Sequence, residues 1–237
     1  MKFSSFAHTD IGRVRPENED SYLCNDQLGI YAVADGIGGL PAGAQASHLT
    51  VATLEKIVGE HPTGQKLNYE RILTEINDQV FKLGRMLSPQ FGIGSTLTFV
   101  HLVGVKLHVG HVGDSTALRF RSRVLQQLTT DHTIENELKA RAARGEPFGL
   151  LMENRNALTR CIGQPPPLEP DCFAHTILPK DRYLLASDGI TRFVTPNEIA
   201  KAMDESATPE IAVNTLIDRA NERGGLDNST GVAIFFE

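Results

Sequence analysis

Residues 30–39 read Ile-Tyr-Ala-Val-Ala-Asp-Gly-Ile-Gly-Gly. The apolar run Ile30–Ala34 predicts a short buried strand, and Asp35 follows it directly. The glycines behind Asp35 let the backbone turn sharply and approach a ligand closely. A carboxylate beside an unhindered glycine carbonyl offers two kinds of oxygen to a metal ion, although a plain tight turn into a helix has the same pattern.

Four further acidic segments lie where an apolar strand is predicted to start or end. Each of them alone is also compatible with an exposed turn. Together they favour an arrangement in which carboxylates from distant parts of the chain meet at one sheet edge. Such a set of oxygen ligands suits Mg²⁺ or Mn²⁺. The sequence therefore predicts a metal enzyme acting on a phosphate. The four segments are Arg15–Asp20, Gly113-Asp114-Ser115, Ser187-Asp188-Gly189 and Asp227-Asn228.

The first of these segments joins a cation to adjacent acids. Arg15 stands five residues before Asp20. Its guanidinium could pair with the acids, or its planar fork could bind a phosphate dianion. Glu19 and Asp20 are neighbours, so on a strand their side chains point to opposite faces. We therefore expect only one of the two to face the metals directly.

Composition and charge exclude several classes of protein. The chain has 237 residues, and its 41% apolar and 22% charged residues are ordinary for a soluble globular protein. A net charge of −6 argues against a nucleic-acid partner. No apolar run reaches the ~18 residues of a membrane span, and the start lacks the apolar stretch of a signal peptide. Cys24, Cys161 and Cys172 show no zinc-binding spacing and predict free thiols in a reducing cytoplasm.

The chain shows no repeat, low-complexity tract or domain linker, because the proline cluster at 165–170 reads as a stiff surface loop. We therefore expect a single domain over residues 1–237. Periodicity predicts two helices between residues 42 and 87, with Ile72, Ile76, Val80, Leu83 and Leu87 on one face of the second. An antiparallel meander follows from about 94 to 128, with Asp114 in a hairpin turn.

The sequence of the second half of the chain predicts further helices and strands. Residues 133–145 read as a polar surface helix and Tyr183–Ala186 as a short buried strand. Thr195 opens a capping box, Thr208-Pro209 opens another helix, and Val232–Phe236 is a strand. The order of elements favours the α+β class, with two antiparallel sheets and helices on their outer faces.

In their order along the chain, these segments resemble the metal-dependent serine/threonine protein phosphatases of type 2C, the PPM family, in their compact bacterial form. Each motif alone is weak, but the ordered set covers nearly the whole chain. The motifs are Thr9–Asp20, Val33–Gly39, Gly94–Thr96, Val112–Ser115, Leu128–His132, Leu158–Gly163, Leu185–Gly189 and Asp227-Asn228.

The resemblance implies a four-layer αββα sandwich with two Mn²⁺ or Mg²⁺ ions at one end, between the sheets. Asp35 would bridge both ions. Asp188 and Asp227 would complete the site of one ion, and the Gly36 carbonyl would complete the other. Asp114, together with Asp188, would contribute to a third, weaker metal site.

The resemblance also implies roles for residues that contact the substrate or the surrounding water. Arg15 would hold the phosphate, while Asp20 and Glu19 would act through water on the metals. A hydroxide between the ions would hydrolyse phosphoserine or phosphothreonine without a phosphoenzyme, consistent with the absence of a Cys-x5-Arg motif. The chain departs from many eukaryotic members at Ile37, where they carry a histidine proposed as general acid.

The implied partners are phosphorylated proteins and a cognate kinase, with no nucleic acid or membrane, and the implied state is a monomer. Residues 132–160 would form a flap that helps to choose substrates. Within it we expect Glu146-Pro-Phe-Gly149 to be mobile and partly apolar, which suits a contact surface but equally suits a loosely packed loop. Two alternatives stay open on the sequence alone. One is a phosphohydrolase for a small metabolite, and the other is a pseudophosphatase that only binds phosphoprotein, against which the intact Asp35, Asp188 and Asp227 argue.

Overall fold

The computed structural model describes residues 2–40, 42–146 and 154–237. Strands and helices alternate irregularly along these residues. In chain order they are β1 (Phe3–Asp10), β2 (Asp20–Asn25), β3 (Ile30–Asp35), α1 (Gly43–Gly59), α2 (Tyr69–Leu87), β4 (Leu97–Val103), β5 (Lys106–Val112), β6 (Thr116–Arg121), β7 (Val124–Gln127), α3 (Ile134–Ala143), β8 (Asp171–Thr176), β9 (Arg182–Ala186), α4 (Asp188–Thr191), α5 (Pro196–Glu205), α6 (Pro209–Glu222) and β10 (Ser229–Phe236).

The strands form two antiparallel sheets of five strands each. The first sheet has the order β1-β10-β9-β6-β7, and the second has the order β2-β3-β4-β5-β8. The strands nearest the two ends of the chain pair with each other, in a register that runs from Phe3 opposite Phe236 to Asp10 opposite Ser229. The N-terminal and C-terminal acidic segments are therefore brought together at one edge.

Alternating side chains of the central strands build a core on each face of each sheet. In β10, Val232 and Ile234 pack between the sheets against Tyr31 of β3. The intervening Ala233 and Phe235 pack under the helices of the first sheet. Helices α1 and α2 cover the second sheet in the same way. The predicted αββα sandwich is confirmed, and it explains why these strands read as nearly continuous apolar runs.

The helices follow their sequence signals closely. Ile72, Ile76 and Val80 of α2 are buried, while Leu87 is 53% exposed because the helix end extends beyond the core. Helix α3 buries no side chain, as its polar sequence predicts. Helix α5 starts at the predicted capping box, in which Thr195 and Glu198 satisfy each other's backbone groups.

The prediction of one continuous meander over residues 94–128 is wrong in its middle. Strand β5 pairs with β4 and β8, whereas β6 pairs with β7 and β9. The segment Gly113-Asp114-Ser115 carries the chain from one sheet to the other, so Asp114 does not lie in a hairpin turn. Gly113 adopts φ +109°, which favours glycine, and its N–H and C=O groups bond to His132. Alternation predicts which face a side chain takes, but not which strand is the neighbour.

Residues 154–160 belong to no helix or long strand. Of the predicted contact surface Glu146-Pro-Phe-Gly149, only Glu146 lies among the described residues. Across residues 2–40, 42–146 and 154–237, no helix has both the length and the apolar character that crossing a membrane would require.

The core between the sheets should carry much of the stability. Leu185 is 1% exposed within that core, so Leu185→Ala should leave a cavity and lower the free energy of unfolding by about 2–5 kcal/mol. Urea unfolding followed by circular dichroism measures this. The control is Val105→Ala at a turn, where the side chain is 59% exposed and the change should stay within about 0.5 kcal/mol. Equal losses in both variants would contradict this assignment of the core.

Candidate active site

Asp35 is held at the end of β3 by the segment Gly94–Thr96. Its N–H donates to Thr96 Oγ1 at 2.9 Å, and its carbonyl accepts from the Thr96 N–H at 2.8 Å. The N–H of Gly36 donates to the Glu19 carbonyl at 3.0 Å. The backbone around the predicted metal ligands is thus fixed from both neighbouring strands.

A close approach of backbones brings Asp188 and Asp227 to the same place. Helix α4 begins at Asp188, directly after β9, and a Cβ at Gly189 would overlap the carbonyl oxygen of Asn228. Asn228 also joins the N-terminal segment. Its Oδ1 accepts from the Glu19 N–H at 2.9 Å, and its Nδ2 donates to the Ile11 carbonyl at 2.9 Å. Segments more than 200 residues apart are therefore locked together.

The result is a cleft of about 400 Å³ at one end of the sandwich. Most of the predicted site residues line it, although they come from five separate segments. The structure thus brings these residues, which are remote in sequence, into one cleft. They are Arg15, Glu19, Asp35, Gly36, Asp114, Asp188 and Asp227.

Asp20 is the predicted site residue that does not line the cleft. It is buried between the sheets, where its Oδ2 accepts from Ser187 Oγ at 2.8 Å and from Thr230 Oγ1 at 2.6 Å. Its Oδ1 is buried without a hydrogen-bond partner. Glu19 points the other way, with its carboxylate against Gly43. As predicted, the two adjacent acids take opposite faces, and Glu19 is the one in the cleft.

Burial and mutual repulsion disfavour the charged forms of these acids. Burial, followed by the charges of Asp20 and Asp188, raises the pKa of Asp35 well above its usual value. Burial and the charge of Asp114 raise the pKa of Asp188 to about 6. Burial raises the pKa of Asp20 to about 7, with the charges of Asp188 and Asp227 adding to it. The cleft is therefore a region that would gain from added positive charge.

Two arginines supply part of that charge. Arg15 forms a two-pronged ion pair with Asp227, with Nε 2.9 Å from Oδ1 and Nη2 3.0 Å from Oδ2. Arg192 lies 2.7 Å from Asp188 and 3.1 Å from Asp114. As the side chains stand, no three His, Cys, Asp or Glu residues in the described parts of the chain form an ion cage.

The donor set nevertheless fits divalent cations. It consists of carboxylates and a glycine carbonyl, which are the oxygen ligands that Mg²⁺ and Mn²⁺ prefer. The orphaned Oδ1 of Asp20 is a buried acceptor whose hydrogen-bonding capacity is unmet behind the cleft. The raised pKa values of Asp35 and Asp188 indicate a deficit of positive charge in the same place.

Several residues of the site were missed by sequence reasoning. The side chains of Asn228 and Thr96 hydrogen-bond to backbone groups of the site. Both residues lie in motifs that the sequence revealed, but these hydrogen bonds were not predicted. Arg192 follows Asp188 by four residues, a spacing that could have predicted the ion pair on a helix. Asn156, Ala157 and Leu158 also line the cleft, and only their place in the predicted flap pointed to them.

The chain is thus a four-layer sandwich with an acidic cleft at one end and an arginine at the rim of that cleft. The sequence matches the family model described as Protein phosphatase 2C over residues 3–229. The chain belongs to this family.

Named relatives and solved structures agree with that assignment. The chain is 31% identical over 232 residues to the serine/threonine phosphatase stp of Listeria monocytogenes, covering 94% of this chain and 91% of the relative. The Streptococcus agalactiae serine/threonine phosphatase superposes with a TM-score of 0.86 at 30% identity, with 100% of both chains covered. The catalytic domain of the phosphatase PstP, in complex with two manganese ions, gives a TM-score of 0.80 at 29% identity, covering 98% and 97%.

The buried carboxylate of Asp20 predicts a pH-dependent cost to the metal-free fold. Because its pKa is raised from ~3.9 in the unfolded chain to about 7 in the fold, stability is lost as the pH rises between these values. Asp20→Asn removes the charge and should stabilise the metal-free protein at about pH 8 by on the order of 2 kcal/mol, roughly 4–8 °C in Tm.

Thermal unfolding in excess chelator measures this effect from about pH 8 down to about pH 4, where the gain should vanish. Asp218→Asn on the exposed face of α6 is the matched control and should leave Tm unchanged. A lower Tm for Asp20→Asn at every pH would show that this carboxylate stabilises the fold.

Proposed function

We propose that this chain hydrolyses phosphoserine and phosphothreonine esters of proteins with the help of two Mn²⁺ or Mg²⁺ ions. The observation that carries the proposal is the convergence of Asp35, Asp188 and Asp227 with Arg15 in one cleft. Membership of the protein phosphatase 2C family supports the reaction class. Relatives named serine/threonine phosphatase support the choice of substrate.

Four groups would hold the two ions: the carboxylates of Asp35, Asp188 and Asp227, and the carbonyl of Gly36. Glu19 in the cleft and Asp20 behind it would orient the surrounding solvent. When bound, such ions acidify a water molecule and offset negative charge on the phosphoryl oxygens. The two manganese ions in the PstP catalytic domain support a pair of ions here.

Arg15 would bind the substrate phosphate. Its side chain is 36% exposed at the cleft and presents a planar fork to one carboxylate, Asp227. A phosphate dianion accepts the same two-pronged hydrogen bonds as a carboxylate. In the substrate complex the phosphate would take the place of Asp227 on the guanidinium, and the charge of Arg15 would stabilise the transition state.

Direct attack by water on phosphorus, in line with the leaving oxygen, fits the other groups of the cleft. Burial raises the pKa of the Cys161 thiol to about 11, so near neutral pH this cleft residue is protonated and a poor nucleophile. Ser187 is buried and donates its hydroxyl hydrogen to Asp20. Neither residue is set up to form a phosphoenzyme.

Ile37 lines the cleft and has no proton to give. The proton for the leaving serine or threonine oxygen would then come from solvent or from another residue. A general acid at this position is therefore not part of the proposed reaction.

The proposed substrate is a protein carrying phosphoserine or phosphothreonine, which implies a cognate kinase. The flap of residues 132–160 would contact it, because Asn156, Ala157 and Leu158 lie at the cleft. We propose that residues 1–237 act as one catalytic domain and as a monomer. The free thiols of Cys24, Cys161 and Cys172 support a cytoplasmic location.

Removal of a ligand charge should abolish hydrolysis. Asp35→Asn and Asp188→Asn should each lower kcat/KM on a phosphothreonine peptide with Mn²⁺ by at least about 100-fold, because each weakens the hold on the ions. Phosphate release measures the rate, and circular dichroism checks the fold. Asp218→Asn changes an exposed acid that does not line the cleft, so this control should keep wild-type activity.

The same assay tests metal dependence and substrate class. Excess chelator should abolish wild-type activity, and activity that persists undiminished would refute the metal-dependent scheme. A higher kcat/KM on small phosphorylated metabolites than on phosphopeptides would replace the proposed substrate.

A further inference from the structure

One guanidinium nitrogen joins two acidic segments of the cleft. Nη2 of Arg192 lies 2.7 Å from Asp188 Oδ2 and 3.1 Å from Asp114 Oδ2. Asp188 begins α4 after a strand of the first sheet, whereas Asp114 lies in the crossover between the sheets. Arg192 immediately follows α4, so the cation is built into the same turn as one of its partners.

Arg192 is well held in this position. Its backbone N–H donates to the Asp188 carbonyl at 2.9 Å, which fixes the start of the side chain. The Asp188 and Asp114 side chains are only 12% and 10% exposed, so their attraction to the guanidinium is weakly screened. Burial acts against the charged form, but the charges of Asp188 and Asp114 outweigh it and raise the pKa of Arg192.

The position of Arg192 also separates two cavities. One is the cleft of about 400 Å³, and the other is an adjoining cavity of about 280 Å³ that reaches Asp131 and, within the flap region, Lys139. Arg192, Asp114 and Asp188 line both. A cation bound by Asp114 and Asp188 would therefore have to lie in this shared wall.

We propose that the guanidinium of Arg192 occupies the place between Asp114 and Asp188 that a third divalent ion would need, so that this chain binds two ions and not three. The inference rests on the proposed two-ion function. A divalent ion shared by the same two Oδ2 atoms would overlap Nη2 and be repelled by its charge. Asp114 then serves as a positioning residue for Arg192 and not as a metal ligand.

The charges of the site agree with this assignment. Asp114 and Asp188 together carry two negative charges, and Arg192 supplies one permanent positive charge because a guanidinium keeps its proton in proteins. The remaining negative charge, on Asp188, can be compensated by one of the two divalent ions of the proposed function. Asp114 already has Arg192 as an ion-pair partner at 3.1 Å.

The test counts bound Mn²⁺ by equilibrium dialysis and by electron paramagnetic resonance of the free ion. Wild type should saturate at about two ions per chain, and Arg192→Gln should rise to about three, with the added ion weaker. Arg192→Lys keeps the charge and should remain at about two. Adding Asp114→Asn to Arg192→Gln should remove the third ion again.

A second variant keeps Arg192, so it tests the inference even if the variants of Arg192 misfold. Asp114→Asn alone should keep about two ions per chain with unchanged affinity, since Asp114 contacts the arginine. Three ions in wild type, or no added ion in a folded Arg192→Gln, would overturn the inference and leave the two-ion function standing. Fewer than two ions in wild type would overturn both.

Discussion

The repulsion among buried carboxylates at one end of the sandwich is the constraint on which the site depends. Asp20, Asp35 and Asp188 are largely removed from water, the charges of Asp20 and Asp188 raise the pKa of Asp35, and the charge of Asp188 also raises the pKa of Asp20. Such a cluster is costly unless cations or hydrogen bonds compensate it. Arg15, Arg192 and the hydroxyls of Ser187 and Thr230 supply part of the compensation within the chain. The unmet remainder is the physical basis for the proposed binding of divalent ions.

The fold sustains this cost because its two sheets fix the backbone on both sides of the cluster. Pairing of β1 with β10 and of β9 with β10 sets Asp188 and Asp227 next to the N-terminal segment. Asn228 then closes the gap by bonding backbone groups that no strand satisfies. Acids that lay on flexible loops would move apart to relieve their repulsion. Here the apolar core between the sheets resists that movement.

Local sequence patterns predicted most of this arrangement, and the failures have a common cause. The buried strand before Asp35 and the capping box at Thr195 are local signals, and the structure confirms them. The crossover at Gly113–Ser115 and the edge strand β8 depend on which strands are neighbours, which periodicity does not encode. In the same way, the positions of the acids could be predicted from strand ends, but the ion pairs of Arg15 with Asp227 and of Arg192 with Asp114 could not, because each joins segments that are distant in sequence.

The two arginines of the cleft differ in a way that separates their roles. Arg15 presents both prongs of its fork to one carboxylate at the rim, a contact that a phosphate can replace without leaving a second acid unpaired. Arg192 uses one nitrogen to pair with two acids from different segments, so without it the two carboxylates would repel each other with no cation between them. An arginine that exchanges partners suits substrate binding. An arginine that bridges carboxylates suits a permanent place in the structure, where it limits how many further cations the cleft accepts.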